Sequence, residues 1–180
     1  LFGPSSEGAT VTGIFLAHWR IFAMALVGVL AWALVASWAL QLQIDAFLLW
    51  LAVAALLLAA SMIALALFTA TFGKRARSSL LLFLAIGALL LLLLVSGTII
   101  DIVTAAGGAS ESLLVIDRAL GSVSTVLGWV SPVALFDGAA VALEEGQAGL
   151  VAMRFALQGT IAALLLLAAT WNLRRKRGEA

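Results

Sequence analysis

The sequence predicts an all-α integral membrane protein with four transmembrane helices and an extracytoplasmic excursion of two short amphipathic or re-entrant helices. Composition is the first observation behind this prediction. Of the 180 residues, 64% are hydrophobic and 11% are charged, and the mean hydropathy is +1.21. Soluble domains are typically about 45–50% apolar and about 25% charged. A water-soluble fold of this size could not bury so much apolar surface.

The second observation is a leucine-rich run at residues 80–95 without a charged or strongly polar side chain. An uncharged apolar segment of about 20 residues crosses the roughly 30 Å hydrocarbon core as a helix. The third is that eight of the ten Lys and Arg residues lie at Arg20, within 74–77 and within 174–177. Because basic residues beside spans are retained in the cytoplasm, we expect a multi-pass protein of the cell membrane with both chain ends cytoplasmic.

The four predicted spans are about residues 18–40, 47–72, 80–101 and 149–171, and the outer excursion is 102–148. Together they would form a single transmembrane domain over residues 1–180. Before the first span, a helical pattern begins near Val11, and His18, Trp19 and Arg20 form a short polar and aromatic cluster. Such clusters lie at the membrane–water boundary. An interfacial anchor is therefore favoured over a functional histidine–arginine pair.

The outer excursion differs from the spans in charge and in periodicity. Residues 101–148 contain six acidic residues and one basic residue. Between 113 and 130, apolar residues recur at spacings of three and four, which predicts an amphipathic helix over about 111–130. Ser131 then suits an N-cap and Pro132 the first position of a second short helix, ending near Gly146.

Several kinds of chemistry are absent from the composition. The chain has no cysteine and a single histidine, so disulfides, thiolate sites and multi-histidine metal sites are excluded. Gly73 and Lys74 lack the preceding glycine of a phosphate-binding loop. Ionisable groups do not converge at membrane depth, as a membrane enzyme would require. We therefore predict no catalytic residues, no bound metal and no cofactor in this chain.

The basic cluster Gly73, Lys74, Arg75 and Arg77 is a candidate contact for a cytoplasmic partner. The alternative is that it sets topology and attracts anionic lipid headgroups, at about 1 kcal/mol for each basic residue. Both interpretations remain open from the sequence, and the second is favoured.

Arg154 lies about one and a half turns inside the last span, with Gln158 on the same helix face four residues later. Asp101, at the outer end of the third span, has a matching depth, so Asp101 and Arg154 form a candidate intramembrane polar pair. An arginine that snorkels to the interface without a partner is equally compatible with the sequence.

Two segments carry a resemblance to a known family. One is Phe-Gly-Lys-Arg-Ala-Arg at residues 72–77, before the leucine run. The other is Trp-Val-Ser-Pro-Val-Ala-Leu-Phe-Asp-Gly at residues 129–138, before the last span. In this order of features, the chain from about 15 to 177 resembles the C-terminal portion of the membrane subunits of type-2 ATP-binding-cassette permeases.

The resemblance implies an exporter permease that pairs with a second permease subunit and with separate ATP-binding subunits, which would hold ATP and Mg²⁺. The four spans would be the third to sixth of six, so the chain is expected to be a fragment of a longer permease. A docking helix for the ATPase would then fall within residues 1–20 or be absent. Membrane lipid is an expected partner, and nucleic acid is not. The resemblance places a candidate outer gate at five residues: Trp129, Ser131, Pro132, Phe136 and Asp137.

The alternative function is a non-transport four-helix accessory or assembly protein of the membrane. The transported substrate cannot be inferred, because an apolar path leaves no recognisable pattern in one sequence.

Overall fold

The structure, a computed structural model, describes residues 6–41, 46–72, 76–105, 125–126 and 128–178. Within these ranges the chain is helical and contains no strand. The helices of 13 or more residues are α1 (Glu7–Leu40), α2 (Ala46–Ala70), α3 (Ala76–Ala105), α4 (Pro132–Glu144) and α5 (Ala148–Gly178).

Helices long and apolar enough to cross a membrane occupy three of the four predicted spans. They are Glu7–Leu40, Phe47–Ala70 and Ala148–Lys176, with 34, 24 and 29 residues. The described side chains of α3 include a shorter apolar segment, Arg77–Leu92. The all-α membrane class is therefore supported, whereas the span at residues 80–101 remains a prediction.

The first helix begins at Glu7, earlier than the expected start near Val11. Ser6 has an extended backbone, and its hydroxyl accepts a hydrogen bond from the Ala9 amide at 3.3 Å. This N-cap satisfies one of the free amides of the first turn, and Glu7 there complements the helix dipole. Local capping thus extends the helix beyond the apolar run that predicted it.

Helix α2 is the centre of the bundle, because it contacts α1, α3, α4 and α5. Its most extensive contact is with α5, and the two helices run parallel. The buried positions of α2 include Ala54, Ser61 and Ala64, whereas those of α5 include Ala162 and Ala169. Small residues let helix backbones approach closely in a membrane, where van der Waals packing drives association.

Polar ties join α2 and α5 where the two helices end. Asn172 Nδ2 donates to Thr71 Oγ1 at 3.2 Å. Lys176 Nζ donates to the Thr71 carbonyl, one of the carbonyls that the end of α2 leaves unpaired. A cation at this position also complements the negative end of the α2 dipole. The basic tail therefore contacts the end of α2.

Helix α1 packs against α2 and α5 through its first half. Trp19 Nε1 donates a hydrogen bond to the Leu56 carbonyl of α2 at 3.3 Å. His18 is exposed, and its Nδ1 lies 2.8 Å from the Ile14 carbonyl of its own helix. Trp32 and Trp38 are 72% and 85% exposed. In a membrane protein such apolar surface faces lipid or another subunit.

Replacing Ala64 by Leu tests the packing of α2. Ala64 is completely buried, so three further heavy atoms must force neighbouring helices apart. We expect a loss of about 1–3 kcal/mol in the free energy of unfolding, measured by detergent titration. Ala70→Leu is the control, because Ala70 is exposed on the same helix. Equal effects of the two substitutions would contradict close packing at Ala64.

Candidate functional site

Helix α4 begins with the predicted cap. Ser131 has φ −73° and ψ 125°, its hydroxyl lies 3.5 Å from the Ala134 amide, and Pro132 occupies the first turn. Ser131 and Pro132 are both buried. The predicted N-cap and first helical residue are therefore confirmed.

The same helix ends in a tight turn that leads directly into α5. Gly146 has φ +70°, a left-handed conformation that glycine adopts without steric cost. The Gln147 amide donates to the Ala142 carbonyl at 2.8 Å, and the Gly146 amide donates to the Leu143 carbonyl at 3.1 Å. These two hydrogen bonds form a Schellman motif. Since α5 begins at Ala148, the chain reverses direction and α4 lies antiparallel to α5.

One stripe of α4 is buried against the bundle. Leu135, Ala139 and Ala142 are each at most 1% exposed, and their spacing of four and three places them on one helix face. Asp137 is exposed, and Phe136 is half-buried. Helix α4 contacts α2 as well as α5, so it fills the groove between them.

Gln158 of α5 holds the start of α4. Its side chain is completely buried, and its Nε2 donates to the Pro132 carbonyl at 3.2 Å. The backbone carbonyl of Gln158 accepts from Ser61 Oγ of α2 at 3.2 Å. One residue thus connects three helices. A rise of about 1.5 Å per residue places this junction about 15 Å along α5 from its start.

Arg154 lies one turn before Gln158 and also contacts α4. Its Nη1 lies 3.4 Å from the Ala134 carbonyl, within hydrogen-bonding distance, and its Cζ lies 5.1 Å from the centre of the Trp129 ring, a cation–π geometry. A Cβ atom at Gly138 would lie only 1.7 Å from Arg154 Nη1. The absence of a side chain at Gly138 therefore makes room for the guanidinium.

Two polar atoms at this junction have no hydrogen-bond partner among the described residues. They are Arg154 Nε, a donor, and Gln158 Oε1, an acceptor, and both are buried. Burying such atoms without a partner costs about 1–3 kcal/mol each. We call Ser61, Trp129, Pro132, Arg154 and Gln158 the polar junction.

The structure brings together some predicted residues and leaves others apart. Of the candidate gate, Trp129 and Pro132 belong to the polar junction and Ser131 caps α4, whereas Asp137 lies on the exposed face of α4. Gly138 and Ser61 were not predicted as site residues. A glycine inside a helix costs about 1 kcal/mol of stability relative to alanine. A glycine in the middle of the predicted helix was therefore the one signal in the sequence that Gly138 has a special packing role.

Two further predictions concern positions that the structure describes only in part. The side chain of Asp101 lies outside the described residues, so its pairing with Arg154 stays a prediction. Gly73, Lys74 and Arg75 also lie outside them, and Arg77 is exposed at the start of α3. The role of the basic cluster in partner binding therefore stays a prediction as well.

A pocket of about 630 Å³ adjoins the α4–α5 turn. Phe47 and Trp50 line it from α2, Leu143 and Gly146 from the end of α4, and Val151 and Phe155 from α5. The Trp50 and Phe155 ring centres lie 6.3 Å apart with an interplanar angle of 37°. Within the described part of the chain, no group of three or more His, Cys, Asp or Glu residues could hold a metal ion.

Comparisons of the chain with protein-family models, with curated proteins and with solved structures found no match.

Replacing Gly138 by Ala tests the contact with Arg154. Alanine in a helix interior normally stabilises by about 1 kcal/mol relative to glycine. Here the new Cβ must displace the guanidinium, the end of a flexible side chain, from the Ala134 carbonyl and the Trp129 ring. Losing these contacts should outweigh the usual gain slightly, so we expect a net loss of at most about 1 kcal/mol in the free energy of unfolding. In an Arg154→Ala background the sign should reverse, because the obstacle is gone.

Gly159→Ala is the matched control for this prediction. Gly159 lies in α5, and nothing lies within 4 Å of a Cβ atom built there. We expect no loss of stability from this substitution. Destabilisation by Gly138→Ala that persists without Arg154 would show that another group fills the space.

Proposed function

We propose that the chain is a permease subunit of an ATP-driven exporter of the type-2 ATP-binding-cassette class. It would move a substrate, as yet unidentified, across the membrane with ATP hydrolysed by a separate subunit. The observation that supports this proposal best is the position of α4. Gln158 holds its first turn about 15 Å along α5, which is half the thickness of a roughly 30 Å hydrocarbon core. In this proposal α4 is a re-entrant helix.

The rest of the architecture in this proposal follows from topology. Helix α3, with 30 residues, is long enough to form the span predicted at residues 80–101. The basic residues at 74–77 and 174–177 would lie on the cytoplasmic side of the cell membrane, with both chain ends. A second permease subunit and two ATP-binding subunits would complete the exporter, as the resemblance implies. This chain would bind no nucleotide itself.

The polar junction suggests how such a subunit would transmit movement. Helix α4 is bonded to α5 through Gln158, and α5 is bonded to α2 through Ser61. A shift of α2 relative to α5 would therefore change the position of the first turn of α4. Non-helical backbone at membrane depth is tolerated where protein or a water-filled cavity surrounds it. Ser131 and Trp129, beside this start, would form the outer gate.

A second function, that of a non-transport accessory or assembly protein, is supported by a different observation. Helix α2 contacts each of the other four long helices, so the described helices pack together around α2. Such a bundle needs no partner to bury its small-residue faces.

Single cysteines test the depth of α4, because the chain has none of its own. Val130 is 55% exposed and lies beside the start of α4, and Glu144 is exposed at its end. In intact membranes we expect a membrane-impermeant maleimide to label Val130→Cys roughly tenfold more slowly than Glu144→Cys, because lipid excludes the reagent. After unfolding in denaturing detergent, the same maleimide should label both, which shows that both thiols are reactive. Equal labelling by the impermeant reagent would place all of α4 in water.

Affinity purification of the complete protein from its native membrane tests the exporter proposal. An ATP-binding subunit should co-purify in a fixed ratio, and its hydrolysis rate should respond to the permease. If the basic cluster contacts that subunit, combined Lys74→Ala, Arg75→Ala and Arg77→Ala should lower the recovery. Arg174→Ala with Arg175→Ala is the charge-loss control. A pure protein without any ATP-binding subunit would favour the accessory function.

A further inference from the structure

The pocket beside the α4–α5 turn has a size and a lining that suit an apolar ligand. Its volume of about 630 Å³ falls in the range of roughly 300–1,000 Å³ that is typical of small-molecule sites. The residues that line it, all among the described part of the chain, carry no charge. It opens between helices of a membrane protein, so an occupant can arrive from the surrounding lipid.

Two carboxylates stand at the edge of this pocket. Glu144 and Glu145 lie between the lining residues Leu143 and Gly146, and both are exposed. Glu145 Oε2 accepts a hydrogen bond from Gln147 Nε2 at 2.7 Å. Glu144 is the last residue of α4 and Glu145 is its C-cap. The negative end of the α4 dipole and the positive end of the α5 dipole, which begins at Ala148, oppose each other here, so the two carboxylate charges decide the sign. The edge of the pocket therefore attracts a positive charge and repels a negative one.

The aromatic rings that line the pocket are a second reason to expect a cationic ligand. The ring centres of Trp50 and Phe155 lie 6.3 Å apart with the rings tilted, and Phe47 lines the same pocket. The negative faces of aromatic rings attract ammonium groups, and quaternary ammonium ligands use this interaction. Arg154, the neighbouring cation on α5, does not line the pocket and contacts Trp129 and the Ala134 carbonyl instead.

We propose that this pocket is a binding site for a cationic amphiphile taken from the membrane. The alkyl chain occupies the apolar lining, and the ammonium group lies among the rings and the carboxylates of Glu144 and Glu145. This site is separate from the polar junction, and it stands whether or not the chain belongs to an exporter.

The test is binding of radiolabelled dodecyltrimethylammonium to the complete protein in nanodiscs, with protein-free nanodiscs subtracted. Wild-type protein should show saturable binding. Ala152 is exposed and lines the pocket, so Ala152→Trp should fill it and abolish the saturable component. Glu144→Gln with Glu145→Gln should weaken binding by about three- to tenfold, because two exposed charges are lost.

Two controls make the outcome decisive. Asp137→Asn removes an exposed carboxylate of α4 that does not flank the pocket, so binding should be unchanged. Unlabelled dodecanol, which has the same chain without a charge, should compete far more weakly than the unlabelled cation. Absence of saturable binding would overturn the proposal, as would equal competition by dodecanol or equal weakening by Asp137→Asn. Thermal stability of each variant separates loss of the site from loss of the fold.

Discussion

The interactions of Gln158 are the constraint on which the rest of the structure depends. In an apolar bundle no bulk water can satisfy a buried amide, so its position is determined by the partners it finds. Its side chain donates to Pro132, and its carbonyl accepts from Ser61. These two hydrogen bonds therefore fix the positions of α2, α4 and α5 along one another. Because α4 is joined to α5 by a tight turn at Gly146, the same contact also determines how far α4 reaches along α5.

The arginine beside it shows how an apolar fold accommodates a charge. Arg154 approaches a backbone carbonyl and an aromatic face, and the missing side chain at Gly138 provides the space. An arginine at the centre of a membrane costs about 2.5–3.5 kcal/mol on insertion scales. Arg154 lies nearer the start of α5, where the cost is lower, and each of these contacts offsets part of it. Arg154 Nε and Gln158 Oε1 nevertheless remain without a hydrogen-bond partner among the residues that the structure describes.

The sequence predicts correctly those features that depend only on residues close together in the chain. The cap at Ser131 needs only a hydroxyl before a proline, and the shared face of Arg154 and Gln158 needs only helical geometry. Contacts between segments that are distant in the chain were not predicted. Nothing near Gly138 in the chain indicates that a side chain 16 positions later fills its space. The pocket beside Trp50 depends in the same way on three helices that come together only in the fold.

By itself the sequence determined the all-α membrane class, three of the four spans and the cap at Ser131, because apolar length and capping act within a few turns. It also determined the basic asymmetry from which orientation is predicted. Only the tertiary structure decided which face of each helix is buried. Helices that are apolar all round carry no polar face to distinguish inside from outside. That choice came instead from the fit of small residues such as Ala64 and Ala169 and from the few buried hydrogen bonds that Gln158 and Ser61 complete.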